Sequence, residues 1–435
     1  MDIIKFPENF SKLIFELSPI FTRPSFNHFK VVLSAILFGS PKKTLTSGIR
    51  LFDLKCHFSN IHRFVGRYQW DLTQLTSSIL LMIVKHLHLS KEFLFALDDT
   101  LVPKYGPKIF GRAKHRDHAA KAYQPNFVMG HKWLVLGLLH YSKTFSKWIC
   151  FPMLSRLFVP KKATPENEEY FKPLAIAVSM LKEIKSIVNT KLTLVADGLY
   201  GKKDLIRYCI QGNISFISRI RSDAALYETP PAYNFGRPRK YGKRLPILRQ
   251  LSADENDFQE YHLKLYGEER SVRVKKIVAI WKPAGQLIQV LITDFDNSKN
   301  FSYFFSTDLK MPVKKILSIV AARWSIETLF CDLKTHLGME DWQCRIQNAV
   351  VRSIPLTCAA TSLLMLWSLM EAQQKEPEFW DVQPWYSNKS SPSILDMIHQ
   401  LKARSLSTNI FSVLRQKGIT AEKYRQIEFI LRQAA

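Results

Sequence analysis

Two short, largely apolar runs, each stopping at an aspartate, constrain this chain more than any other feature. Phe93-Leu94-Phe95-Ala96-Leu97 runs into Asp98 and Asp99, and Leu192-Thr193-Leu194-Val195-Ala196 runs into Asp197. A run of this length without polar alternation suits a strand buried on both faces, and such strands belong to sheets covered by helices. Acids that follow these runs collect at one edge of the sheet, where open α/β sheets bind ligands.

The flanking segments fit the same architecture. Trp133 to His140 and Trp148 to Leu154 predict two further strands, joined by a turn around Ser142 to Ser146, and Ser215 to Arg219 predicts another. Thr164-Pro165-Glu166 predicts a helix start, with threonine as cap and proline in the first position. Phe171, Leu174, Val178, Leu181 and Val188 would form its apolar stripe. Alternating stretches such as Val272-Arg273-Val274 and Ile288 to Thr293 predict a β-rich insertion over residues 222–300. Helical spacing dominates residues 1–90, as in Phe29, Leu33, Ile36 and Leu37, and it returns at Val313. Asn60 to Arg67 fits a short basic recognition helix, and three ordinary packed helices account for the pattern equally well. The expected organisation is α/β with a mixed sheet: a helical segment at 1–90, a core at 91–221 and 301–372 split by the insertion at 222–300, and a helical region at 373–435.

Charge narrows the partner. The 435 residues carry 62 Lys plus Arg against 37 Asp plus Glu, a net charge of +25, which suits a polyanion. Residues 102–132 alone hold seven Lys or Arg and one acid, Asp117, and this long connection suits contact with a nucleic-acid backbone. The densest basic tract holds Arg237, Arg239, Lys240, Lys243 and Arg244, a phosphate-binding loop by composition. Membrane spanning is disfavoured: the apolar stretch from Ile354 to Met370 falls short of a span of roughly 20 residues and reads as a buried core helix. The six cysteines include no CxxC pair, which argues against zinc and disulfides and fits a reducing, cytoplasmic setting. The N-terminal residues do not resemble a signal peptide.

The third acid motif lies on a predicted helix. Arg323, Glu327 and Lys334 stand at i, i+4 and i+11 and share one face, with Ile326, Phe330, Leu333 and Leu337 on a neighbouring apolar face. Asp99, Asp197 and Glu327 therefore form a candidate carboxylate triad for divalent ions, with Asp98 competing for the first position. His131 is a further candidate near the site, although a packed histidine is the simpler reading.

This helix resembles the Y-(2)-R-(3)-E-(6)-K signature of the DDE transposases of the insertion-sequence-four type. The Leu97-Asp98-Asp99-Thr100 and Val195-Ala196-Asp197-Gly198-Leu199-Tyr200-Gly201 segments resemble the first two acid motifs of that family. Val320 stands at the tyrosine position of the signature. The resemblance covers about residues 90 to 340.

It implies an RNase H-like fold, with Asp99, Asp197 and Glu327 binding Mg²⁺, or Mn²⁺ as substitute, and Arg323 and Lys334 holding DNA phosphates. Asp99 is preferred over Asp98 because it directly precedes the threonine. Trp281, the single tryptophan of the insertion, would be the candidate for holding a flipped base, and a core tryptophan is the simpler reading. The implied activity is cut-and-paste transposition, with the helical N-terminal segment binding double-stranded DNA at terminal inverted repeats. A homodimer on two DNA ends and nucleoid association go with it. Two other readings stay open: a catalytically inactive or domesticated DNA-binding relative, and a nuclease without strand transfer.

Overall fold

The computed structural model describes residues 6–39, 42–49, 57–89, 92–117, 126–231, 239–295, 297–374, 380, 386 and 389–414. Five helices come first: α1 (Glu8–Glu16), α2 (Arg23–Phe38), α3 (Leu45–Ile49), α4 (Ser59–Gly66) and α5 (Leu72–His86). Local chemistry sets the ends of the longer ones. Thr22 caps α2 by accepting from the Ser25 N–H, and Asp71 caps α5 by accepting from Thr73 and Gln74.

The sheet and its helices follow as β1 (Glu92–Pro103), β2 (Ala113–Arg116), β3 (Phe127–Ser142), β4 (Lys147–Phe158), α6 (Pro173–Ile187), β5 (Lys191–Ala196), α7 (Lys203–Gln211) and β6 (Ile214–Arg219). Next come β7 (Leu226–Tyr227), α8 (Leu248–Ala253), β8 (Gln259–Leu265), β9 (Glu268–Trp281), β10 (Gln286–Asp294) and β11 (Phe301–Ser306). The chain then forms α9 (Val313–Thr335), α10 (Gln347–Gln374) and α11 (Ile394–Leu414).

These strands build one mixed sheet in the order β2-β3-β1-β5-β6-β11-β10-β9-β7, with β4 beside β3 and β8 beside β9. The centre, β1-β5-β6, is parallel, as the apolar runs require, and its flanks are antiparallel. Residues 222–300 contribute β7 to β10, which extend this same sheet because β10 pairs with β11 and β11 with β6. Helices flank the sheet, the architecture of an RNase H-like fold.

Three expectations are corrected. The strand after Glu92 does not stop at the acids: β1 continues to Pro103, so Asp98 and Asp99 lie within it. The helix expected at Thr164 starts at Pro173 instead, because the residue before a proline is driven out of the helical region and Lys172 is extended (φ −68°, ψ 152°). Its buried stripe is therefore Ala177, Met180, Leu181 and Ile184, and Phe171 lies exposed. The basic connection between β1 and β3 also contains a short strand, β2.

Helix α10 is the hub of the helical layer. Its mean hydropathy reaches 1.6 over an 18-residue window, and 89% of that window is buried within the protein. It packs against α1, α2, α4, α5, α11 and β4. Arg352 fastens the N-terminal helices to it by donating to the carbonyls of Val65, Tyr68 and Trp70, at 2.9 to 3.2 Å, while its guanidinium lies 4.3 Å from the Trp70 ring centre. The N-terminal helices and the sheet share one hydrophobic core. The five described cysteines are free.

Gly137 marks a close-packed point of the sheet beside α9. The β3–β4 register shifts between Leu136 and Gly137, and a Cβ there would meet Cys150 Sγ at 2.3 Å. Gly137→Ala should destabilise the protein by about 1–3 kcal/mol, the range for overpacking a core. A urea unfolding midpoint close to that of the wild type would contradict this packing.

Candidate active site

The parallel register of β1 and β5 creates the site. Leu97 pairs with Ala196, so the next residues of each run, Asp98 and Asp197, emerge side by side. Neighbouring residues on a strand face opposite sides of the sheet, so Asp98 and Asp99 separate. Asp98 meets α9: its Oδ2 lies 3.3 Å from Nη1 of Arg323, and Nη2 of the same guanidinium donates to Glu327 Oε1 at 2.8 Å. Asp99 has different partners. Its Oδ1 lies 2.8 Å from Lys132 Nζ, and its Oδ2 accepts from the Tyr200 hydroxyl at 2.6 Å. The two acids are joined through the Asp99 N–H, which donates to Asp98 Oδ1 at 2.8 Å.

A turn holds the second acid. The Asp197 carbonyl accepts from the Tyr200 N–H at 2.9 Å and from the Ser218 hydroxyl at 3.1 Å. Tyr200 is thereby folded back beneath the strand ends, 3% exposed, with its hydroxyl on Asp99. Burial pushes the Asp98 carboxyl up to about 7, and the neighbouring charges of Asp99 and Asp197 push the same way, against the Asp99 N–H and Arg323. Burial, followed by the adjacent acids, also drives the Tyr200 phenol strongly upward, so it stays a donor.

Beside this cluster a cavity of about 200 Å³ is lined by Ser218, Arg219, Tyr266, Val320, Arg323 and Trp324, among others. Val320, one turn before Arg323, contributes only an apolar surface to it.

The other sequence candidates lie elsewhere. Lys334, almost two turns beyond Glu327, is 4.0 Å from Glu340 Oε1. Arg239, Lys240, Lys243 and Arg244 are exposed, and Arg244 bridges to Tyr227 of β7. Six strand spacings separate β7 from β1 in the sheet order, roughly 29 Å at about 4.8 Å each. Arg237 lies outside the described residues. Trp281 ends β9 half-buried, with its ring 5.0 Å from that of Phe305, away from the acids.

His131 is buried, and its Nε2 donates to the Phe110 carbonyl at 2.8 Å. Sequence reasoning gave Lys132 and Tyr200 no role in the acid cluster. Their signals were present, as the last cation of the basic connection and as the tyrosine of the second acid motif.

The donor chemistry suits a hard divalent cation: carboxylate oxygens, one of them costly to ionise without a neighbouring positive charge. Among the described residues no three acids, histidines or cysteines are spaced to enclose an ion as they stand. Arg323 and Lys132 instead supply the compensating charge.

An acid on the central strand, a second beyond the adjacent parallel strand and a third on a helix crossing them stand together on an RNase H-like fold. The chain belongs to the DDE superfamily of endonucleases, whose family profile matches residues 16–277 and so includes the first two acid motifs. A second profile, that of the archaeal putative transposase ISC1217, matches residues 262–364 and includes Glu327. A search of curated proteins returns no match. Enzymes of this superfamily use divalent metal ions, and its endonuclease and transposase families act on DNA.

His131 supplies a pH test. Burial lowers its ring to about 4, below the ordinary 6.5, so the folded state holds it neutral. Its contribution is complete above about pH 6.5 and is lost as pH falls toward 4, by up to about 3 kcal/mol. The stability gap between the wild type and His131→Gln, measured by urea unfolding, should shrink by that amount from pH 7 to pH 4. A constant gap would contradict a buried neutral ring.

Proposed function

We propose that this protein is a DNA transposase of the insertion-sequence-four type that cleaves and rejoins strands at the ends of a mobile element. The observation that carries the proposal is the Arg323 guanidinium bridging Asp98 and Glu327 beside Asp197. Asp98, Asp197 and Glu327 would hold Mg²⁺, with Mn²⁺ as substitute. Asp98 takes the first position in place of Asp99 because it is the acid that meets the Glu327 helix. A divalent ion held by these carboxylates would supply the charge that activates a water or a DNA 3′-hydroxyl and stabilises the leaving oxygen.

The protein's own residues prepare that chemistry. Desolvation of Asp98 makes the site demand positive charge, which favours cation uptake at neutral pH. Arg323, with five donors in a planar fork, can exchange carboxylate for phosphate partners as DNA arrives. Lys334, further along α9, extends the phosphate track. Arg239, Lys240, Lys243 and Arg244 would contact the duplex backbone far from the acids, and the N-terminal helices would bind the terminal inverted repeats. A homodimer holding two ends, associated with the nucleoid, fits this reading.

Asp197→Asn and Glu327→Gln should each lower Mg²⁺-dependent nicking of a supercoiled plasmid carrying the element ends by at least about 10³-fold, some 4 kcal/mol of transition-state stabilisation. DNA binding, measured by fluorescence anisotropy at fixed salt, should persist. Undiminished nicking by either variant would overturn the assignment. Pre-cleaved ends supplied with target DNA then separate transposase from simple nuclease, because only a transposase joins them.

A further inference from the structure

Asp99 and Asp98 are adjacent, yet their surroundings are built for different tasks. Asp98 is held by one guanidinium and one backbone N–H, which leaves carboxylate lone pairs uncommitted. Asp99 is gripped at both oxygens, by the Lys132 ammonium on Oδ1 and the Tyr200 hydroxyl on Oδ2.

That grip is rigid. Lys132 lies in β3 opposite Leu101, two residues from Asp99 and hence on the same face of β1. Tyr200 is buried in the turn that also fixes Asp197. His115, paired with Val128 on the same face of β3 as Lys132, closes this side with a ring 7% exposed. Charge-assisted bonds to both oxygens restrain rotation of the Asp99 side chain, and with it the peptide whose N–H holds Asp98 Oδ1.

We propose that Tyr200 and Lys132 are positioning residues for Asp98, acting through Asp99. By clamping the Asp99 carboxylate they aim its peptide N–H at Asp98 Oδ1, and so orient Asp98 to receive a divalent cation. This rests on the reading of Asp98 as a metal-binding carboxylate. It gives Asp99 a supporting role and ties the Asp197 turn to the first acid through a single hydroxyl.

Mn²⁺ binding to the full-length protein, followed by electron paramagnetic resonance, tests the proposal without any turnover. Asp98→Asn should abolish tight binding. Tyr200→Phe and Lys132→Met should each weaken it about 3- to 10-fold, and Lys132→Arg should restore most of the loss. In nicking assays the same two variants should raise the Mn²⁺ concentration for half-maximal rate while leaving the saturated rate within about 2-fold.

Unchanged Mn²⁺ affinity in both Tyr200→Phe and Lys132→Met, with Asp98→Asn defective, would overturn the positioning role. So would an Asp99→Asn protein as defective in binding as Asp98→Asn, because Asp99 would then be a ligand itself. Normal binding by Asp98→Asn would instead sink the underlying site assignment. Should Tyr200→Phe fail to fold, as judged by its unfolding midpoint, the Lys132 pair decides alone.

Discussion

Mutual repulsion among carboxylates is the constraint around which this molecule is arranged. Asp98, Asp99 and Asp197 converge where β1 and β5 run parallel, and burial alone would favour protonating one of them. Two cations from opposite sides of the sheet offset the repulsion. Arg323 reaches down from α9 to Asp98 and Glu327, and Lys132 reaches across from β3 to Asp99. Removing one partner of such a half-buried pair leaves its counterpart uncompensated, which commonly costs about 3–5 kcal/mol in buried settings. Strand β3 carries Lys132 and helix α9 carries Arg323, so both cations are supplied by long elements packed around β1.

Much of this arrangement was legible in the residues. The parallel centre followed from two apolar runs, because only strands covered on both faces dispense with polar alternation. Helix α9 begins at Val313, where helical spacing resumes, and Arg323 and Glu327 do meet as residues four apart on a helix should. Which of Asp98 and Asp99 meets α9 was not legible. Adjacent strand residues face opposite ways, and sequence does not say which face the third-acid helix will cover. Lys132 and Tyr200 were hidden for a related reason: their partner is set by strand register and by a turn, both tertiary properties. The start of α6 was misread because Thr164-Pro165 carries a good local signal, and Pro173 carries one that sterics make binding on the residue before it.

The basic character is spread unevenly over the fold. Lys132 and Arg323 are committed to acids, whereas Arg239, Lys240, Lys243 and Arg244 lie exposed at the far end of the sheet. A net charge of +25 thus combines cations that make the site tolerable with others left to face a polyanion. The two groups respond differently to salt, since exposed charges are screened at about 10 Å in 0.1 M salt and half-buried pairs much less.

The Arg352 clamp has a consequence for biosynthesis. Its acceptor in the N-terminal helices, the Tyr68 carbonyl, is separated from it by 284 residues. At about 5–20 residues per second a ribosome takes roughly 15 to 55 s to cover that interval. For most of it, α1 to α5 have been made but lack α10, the apolar helix they pack against. The first helices of this protein therefore cannot reach their final packing until α10 has been made, although they are made first.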